Sequence, residues 1–120
     1  MNLKIIIFIL LSVGLLSSCE YAYTYSYSVT NSSDTTVDVK MKTSRIDSVF
    51  KLTKYDTRIL FMTEHGIEGS KGPYSRDVNK DLVIFTVTKG QLQSKRDYLK
   101  NNNWAFEKGV YSATITNAEF

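Results

Sequence analysis

A stretch of ten residues near the start of the chain alternates strictly between two kinds of side chain. Odd positions carry Tyr21, Tyr23, Tyr25, Tyr27 and Val29, and even positions carry Ala, Thr or Ser. A period of two is typical of a β-strand with one packed face and one polar face, whereas a helix would scatter the tyrosines around its circumference. The chain is therefore restricted to folds that contain a sheet.

The tyrosine row has two interpretations. Aromatic faces suit the stacking of sugars and contacts with proteins, so the row can form a binding platform. The same rings can also fill the core of a sandwich while their hydroxyls reach its edge. We favour the core interpretation, because a strand with one packed face needs large side chains on that face.

The next part of the chain predicts three further strands. Residues 31–34 (Asn-Ser-Ser-Asp) predict a turn, since all four side chains can bond the local backbone. The alternating residues 35–41 follow, and we expect them to form a hairpin with the tyrosine strand. Residues 45–53 give a less regular strand. Residues 58–63 hold a continuous apolar run, which is consistent with a strand covered on both faces or with a buried helical turn.

The second half of the chain begins with a predicted loop over residues 64–80, which hold Gly66, Gly69, Gly72 and the sole proline, Pro73. A phosphate cradle built from such glycines needs a strand–loop–helix frame and another spacing, so turn glycines explain them better.

Residues 82–88 carry the strongest strand signal of the chain, since they are rich in β-branched and aromatic side chains. Residues 91–103 are polar, and a short helical turn over 94–99 is an open alternative there. Residues 104–107 and 110–116 predict a closing hairpin around Lys108-Gly109, which is a common turn dipeptide type.

These signals together predict the fold class. About seven short strands, one proline and no sustained helical periodicity indicate an all-β fold, a single antiparallel β-sandwich of immunoglobulin-like type. The 102 residues from Cys19 to Phe120 (120 minus 18) are enough for one domain with a real core.

The first 19 residues form a separate unit. A positive start with Lys4 precedes an apolar run over residues 5–16, which is typical of a secretory signal and too short for a relaxed membrane span. Leu16-Ser17-Ser18-Cys19 then resembles a bacterial lipobox. The resemblance implies that residues 1–18 are a cleaved lipoprotein signal peptide and that the Cys19 thiol carries a diacylglycerol anchor.

The lipobox also accounts for the cysteine count. Cys19 is the only cysteine, and a thiol in a thioether cannot form a disulfide or bind a metal. The resemblance places the protein in the cell envelope, anchored to the outer membrane. Only Glu20 supplies an acidic residue just after the cysteine, which favours the periplasmic face over the cell surface.

The body resembles the small, Tyr-rich β-sandwich lipoproteins common in Bacteroidota. The resemblance rests on an opening strand of the form Tyr-x-Val/Tyr-x-Asn-x-Ser that ends at Asn31, on the apolar strand at 82–87, and on the closing residues 111–120. It implies a fold and a compartment but no activity.

Charge adds little to the functional prediction. Without Lys4 the body holds 14 basic and 12 acidic residues, a net charge of +2 from 14 minus 12, and the two signs are interspersed. With no basic stripe, we expect no nucleic-acid partner.

Few residues carry candidate chemistry. His65 is the only histidine, and no H-E-x-x-H or G-x-S-x-G frame surrounds it, so we expect a residue at a loop edge near solvent. Asp77, Asn79 and Asp81 match the first three ligands of a calcium loop, but Leu82 stands where glycine is wanted and Thr88 where glutamate is wanted. We therefore predict no metal site and no cofactor, with these three residues as weak candidates.

Two sites match a bacterial O-glycosylation signal of Asp, then Ser or Thr, then an aliphatic residue or Thr. They are Thr35 after Asp34 and Ser48 after Asp47. Thr35 is the better candidate because a turn presents it to solvent.

The sequence therefore predicts a lipid-anchored envelope protein whose role is non-enzymatic, either structural or binding a protein or glycan. The alternatives are a small envelope hydrolase and an inhibitor of a secreted hydrolase.

Overall fold

The computed structural model describes residues 20–68 and 71–120. This part of the chain forms eight strands and three short 3-10 helices, so the predicted all-β class is confirmed. The strands are β1 Glu20–Asn31, β2 Val37–Lys42, β3 Asp47–Leu52, β4 Thr57–Glu68, β5 Ile84–Lys89, β6 Leu92–Gln93, β7 Ala105–Glu107 and β8 Val110–Ile115. The 3-10 helices are Val78–Lys80, Asn101–Asn103 and Asn117–Glu119.

The strands form two four-stranded sheets that pack face to face. The first sheet has the order β4-β1-β8-β7 and the second has the order β3-β2-β5-β6. Every neighbouring pair is antiparallel except β1 and β8, which run parallel. The predicted β-sandwich is thus confirmed, with one parallel pair inside it and with the two-residue β6 as a strand that the sequence did not indicate.

The predicted hairpin between the first two strands is wrong, because β1 and β2 lie in different sheets. Asn31 directs the chain across the gap at this point. Its side-chain amide donates to the carbonyls of Thr35 and Leu52, and its Oδ1 accepts hydrogen bonds from the backbone N–H and the hydroxyl of Ser33. Placing the strands in opposite sheets lets each bury its apolar face against the other.

The apolar run in β4 is not covered on both faces, as its continuity suggested. Tyr27 pairs with Phe61 and Ser28 pairs with Ile59, so Leu60 is an extra residue in a β-bulge. A bulge turns two successive side chains to the same side. Leu60 and Phe61 are buried, while Ile59 and Met62 are 56% and 63% exposed on the outer face.

Two predicted boundaries also differ from the structure. The predicted loop at 64–80 begins later, because β4 continues through Gly66 to Glu68. No helix occupies 94–99 in the described chain, and the short 3-10 helix lies at Asn101–Asn103 instead. The Ser94 hydroxyl donates to Glu119 Oε1 and accepts from the N–H of Arg96, so hydrogen bonds to another segment replace helical ones.

The closing hairpin is confirmed by the pairing of β7 with β8. Lys108 and Gly109 form its turn with positive φ values of 48° and 84°. A Cβ at Gly109 would lie 2.7 Å from the Thr24 carbonyl oxygen, so glycine is required for space as well as for φ.

Candidate functional site

The tyrosine row lies mainly in the core, as the favoured interpretation predicts. Tyr25 and Tyr27 are fully buried, whereas Tyr21 at the start of β1 is 47% exposed. The Tyr27 ring stacks on Phe61 with centroids 4.5 Å apart and on Tyr111 with centroids 4.8 Å apart. These offset stacks add to the free energy gained from burying the rings.

The hydroxyls of the row hold the segment that joins the two sheets. We call residues 71–83 the crossover segment. Tyr23 Oη accepts a 3.1 Å bond from the N–H of Gly72, the Tyr25 hydroxyl donates to the Tyr74 carbonyl at 2.7 Å, and the Tyr27 hydroxyl donates to Asp81 Oδ2 at 2.6 Å. The alternation that builds β1 therefore also positions Asp81.

Asp81 and His65 form a pair that the sequence did not predict. Asp81 Oδ1 lies 2.8 Å from His65 Nε2, and their side chains are 5% and 22% exposed. His65 was expected at a loop edge near solvent, but it lies inside β4, opposite Tyr23 and on the inner face of the sheet. Its ring also packs against Tyr25, with centroids 5.5 Å apart.

Tyr27 stays protonated beside this pair. Burial raises the pKa of the Tyr27 hydroxyl well above its ordinary value of 10, and its hydrogen bond to Asp81 raises the pKa further. At neutral pH the hydroxyl is therefore a hydrogen-bond donor, and Asp81 accepts from it. A carboxylate buried this deeply needs such partners.

The three residues of the partial calcium pattern separate in the structure. Asp77 and Asn79 are exposed at the 3-10 helix Val78–Lys80, whereas Asp81 is buried with both oxygens in hydrogen bonds. Over residues 20–68 and 71–120, no group of three or more His, Cys, Asp or Glu side chains could hold a metal ion.

A cleft opens beside the Asp81–His65 pair. It has a volume of about 310 Å³ and lies between the end of β4, the β2–β3 turn and the end of the crossover segment. Its polar lining includes Thr43, Ser44, Arg45, Thr63, His65 and Lys80.

The cleft has two of the three parts of a nucleophilic catalyst. His65 is a potential base and Asp81 a group that orients it, but a nucleophilic hydroxyl must also bond the imidazole. Thr43 Oγ1 instead accepts from the N–H groups of Arg45 and Ile46. Within the described part of the chain no hydroxyl is bonded to His65, so no catalytic triad is assembled.

The two glycosylation candidates differ in accessibility. Thr35 is exposed in the connection from β1 to β2. Ser48 lies in β3 opposite Met41, on the half-buried inner side of the second sheet. Solvent access therefore favours Thr35, as the sequence suggested.

A second buried network was not indicated by any sequence motif. Glu119 accepts hydrogen bonds from Ser94, from the Tyr98 hydroxyl and from the backbone N–H of Thr116, and Arg96 lies 3.4 Å from its Oε2. Burial and these bonds raise the pKa of Tyr98. The network ties residues 94–98 to the 3-10 helix Asn117–Glu119, which is a structural role.

The signal peptide at residues 1–18 and the lipid-attachment candidate Cys19 lie outside the described residues. Strand β1 begins at Glu20, the next position. None of the helices in the described ranges is long and apolar enough to cross a bilayer.

Comparison with known proteins adds no identity to this geometry. No protein-family model, no curated protein and no solved structure matches the chain. The fold therefore defines the protein as a small β-sandwich domain.

Proposed function

We propose that this chain is a lipid-anchored protein of the cell envelope, with a non-enzymatic structural or binding role toward a protein or a glycan. The observation that carries the proposal is the junction between the lipobox and the sandwich. Leu16-Ser17-Ser18-Cys19 ends directly before Glu20, where β1 begins. A cleavable signal followed at once by a folded sheet suits a domain held close to a bilayer.

The outer face of the first sheet supports a binding role. On β1 this face carries Ala22, Thr24, Ser26, Ser28 and Thr30, which are all small and uncharged. Around them lie three exposed apolar side chains, Ile59, Met62 and Val110.

The outer face of the second sheet is different, since it presents charged side chains such as Asp38, Lys40, Lys42 and Lys51. Protein interfaces are depleted in charge at their centres. The contrast between the two faces makes the first sheet the better candidate for contact with an envelope protein or glycan.

A small envelope hydrolase is the second candidate, favoured by the Asp81–His65 pair at the cleft. It would require a nucleophile or an activated water at the imidazole. Inhibition of a secreted hydrolase is a form of the binding role and would use the same exposed faces.

The anchor is tested by changing the cysteine. Cys19→Ala should release the protein from membranes into the fluid of the envelope or leave an uncleaved precursor. Retention of a fully processed variant in the membrane fraction would show that Cys19 is not the anchor.

We place the anchor on the periplasmic face of the outer membrane, because Glu20 alone follows Cys19 as an acidic residue. Protease added to intact cells should leave the protein whole and should digest it after the outer membrane is permeabilised. Digestion on intact cells would instead indicate the cell surface.

A further inference from the structure

The cleft beside His65 carries basic side chains that the fold does not use. Arg45 lies in the β2–β3 turn and Lys80 lies at the end of the 3-10 helix, and both are exposed along the cleft. Across the described residues neither forms an ion pair, whereas Lys51, Arg58, His65, Lys89 and Arg96 each contact a carboxylate.

The acidic residues near the cleft do not neutralise this pair. Glu64 stands opposite Thr24 in the register, which places its side chain on the outer face of the first sheet. Asp81 is buried, and both of its oxygens are in hydrogen bonds with Tyr27 and His65. The surface that faces the cleft therefore has an excess of positive charge.

Neutral donors accompany the two cations. Ser44 and Thr63 line the same cleft, one from the turn and one from β4. Arginine and lysine with nearby hydroxyls form the donor set that binds phosphate oxygens in proteins. The volume of about 310 Å³ is at the lower end of the range for small-ligand sites.

We propose that this cleft binds a phosphate group, with Arg45 and Lys80 as charged donors and Ser44 and Thr63 as neutral donors. His65 forms part of the wall and is held in place by Asp81. The phosphate can belong to a soluble metabolite or to a lipid headgroup, since both present the same oxygens. The proposal does not depend on the lipid anchor.

The test uses the full chain in neutral detergent micelles and inorganic phosphate as the probe. Amide NMR shifts are followed at fixed pH, with chloride replacing phosphate at constant ionic strength. We expect saturable shifts at Ser44, Thr63 and His65. Arg45→Gln and Lys80→Gln should each weaken binding roughly tenfold, because each removes a charge-assisted hydrogen bond.

Lys40→Gln is the matched control. Lys40 is an exposed lysine on the outer face of the second sheet, away from the cleft, and its loss changes the net charge equally. We expect less than a twofold change in affinity. Shifts that do not saturate, or an equal loss in all three variants, would overturn the proposal.

Competition then identifies the source of the phosphate. Displacement of inorganic phosphate by glycerol 3-phosphate supports a soluble ligand. Displacement by micelles that contain phosphatidic acid, and by no micelles of neutral lipid, supports a headgroup. Displacement by neither would show binding of the inorganic ion only and would refute a site for phosphate-bearing molecules.

Discussion

The Tyr27 hydroxyl donates a 2.6 Å hydrogen bond to Asp81 Oδ2 across 54 positions of sequence and from one side of the sandwich to the crossover segment. Both groups are buried. The bond therefore joins the core of the first sheet to the wall of the cleft, and it connects the packing of the tyrosine row with the candidate site.

Removing the Tyr27 hydroxyl should destabilise the protein. Tyr27→Phe keeps the ring stacks but leaves a buried carboxylate oxygen without a partner, which should lower the free energy of unfolding by about 1.5 to 3 kcal/mol. Urea denaturation followed by Trp104 fluorescence measures the loss. Tyr55→Phe is the matched control, because Tyr55 is exposed in the β3–β4 turn, and it should change stability by less than about 0.5 kcal/mol. Equal effects of the two substitutions would contradict a role for the Asp81 bond.

The buried tyrosines should make the fold sensitive to alkali. The pKa values of Tyr27 and Tyr98 are raised in the folded state, chiefly by burial. Above the ordinary tyrosine pKa of about 10, the unfolded chain loses these protons while the folded protein keeps them. The free energy of unfolding should therefore fall as pH rises through about 10, by up to about 1.4 kcal/mol per pH unit for each tyrosine.

Denaturation at a series of pH values between about 8 and 11 checks this sign. The stability should be flat below the ordinary pKa with respect to these two groups, because both states are then protonated. Tyr27→Phe and Tyr98→Phe should each fall less steeply above it than the parent protein does. Slopes identical to the parent in both variants would show that these hydroxyls titrate alike in the folded and unfolded states.

Much of the fold could be predicted from local patterns. The alternation in β1, the phase of Tyr111, Ala113 and Ile115, and the turn at Lys108-Gly109 all follow from neighbouring residues, and the structure confirms each. Pairing between distant segments could not be predicted. Two strands with apolar faces can lie side by side or face to face, and the alternation of 35–41 fits both arrangements.

The candidate site was missed for the same reason. His65 and Asp81 are 16 positions apart, and Asp81 became a site residue only through the bond from Tyr27. The partial calcium pattern drew attention to Asp81 for a different chemistry. The sole signal available in the sequence was the regular spacing of tyrosine hydroxyls, which require buried partners when their rings fill a core.

Glycine at the closing turn should be indispensable. Gly109→Ala places a Cβ 2.7 Å from the Thr24 carbonyl oxygen at a φ of +84°, so it should cost roughly 2 to 3 kcal/mol of stability. Gly90→Ala is the control for φ alone, since φ there is +61° and no atom lies within 4 Å of the added Cβ. We expect a cost of only about 1 kcal/mol at Gly90. Thermal unfolding of the two variants would refute the steric argument if Gly90→Ala were the more damaging.

The start of β1 should lie close to the bilayer. Only Glu20 separates Cys19 from Tyr21, and an extended residue spans at most about 3.5 Å, so a lipidated cysteine leaves the sandwich almost no tether. Tyr21 is exposed there, and aromatic rings with polar tips are favoured at headgroups. A tryptophan at Tyr21 should therefore be quenched by lipids that carry a quencher.

Tyr55 provides the control for this experiment. It lies in the turn before Thr57, which pairs with Thr30 near the far end of β1. Nine residues of strand from Tyr21 to Thr30 span roughly 30 Å. With Trp104 present as the same background in both variants, Tyr21→Trp should be quenched in vesicles and Tyr55→Trp should not. Equal quenching of the two would show that the domain does not stand on the membrane by the start of β1.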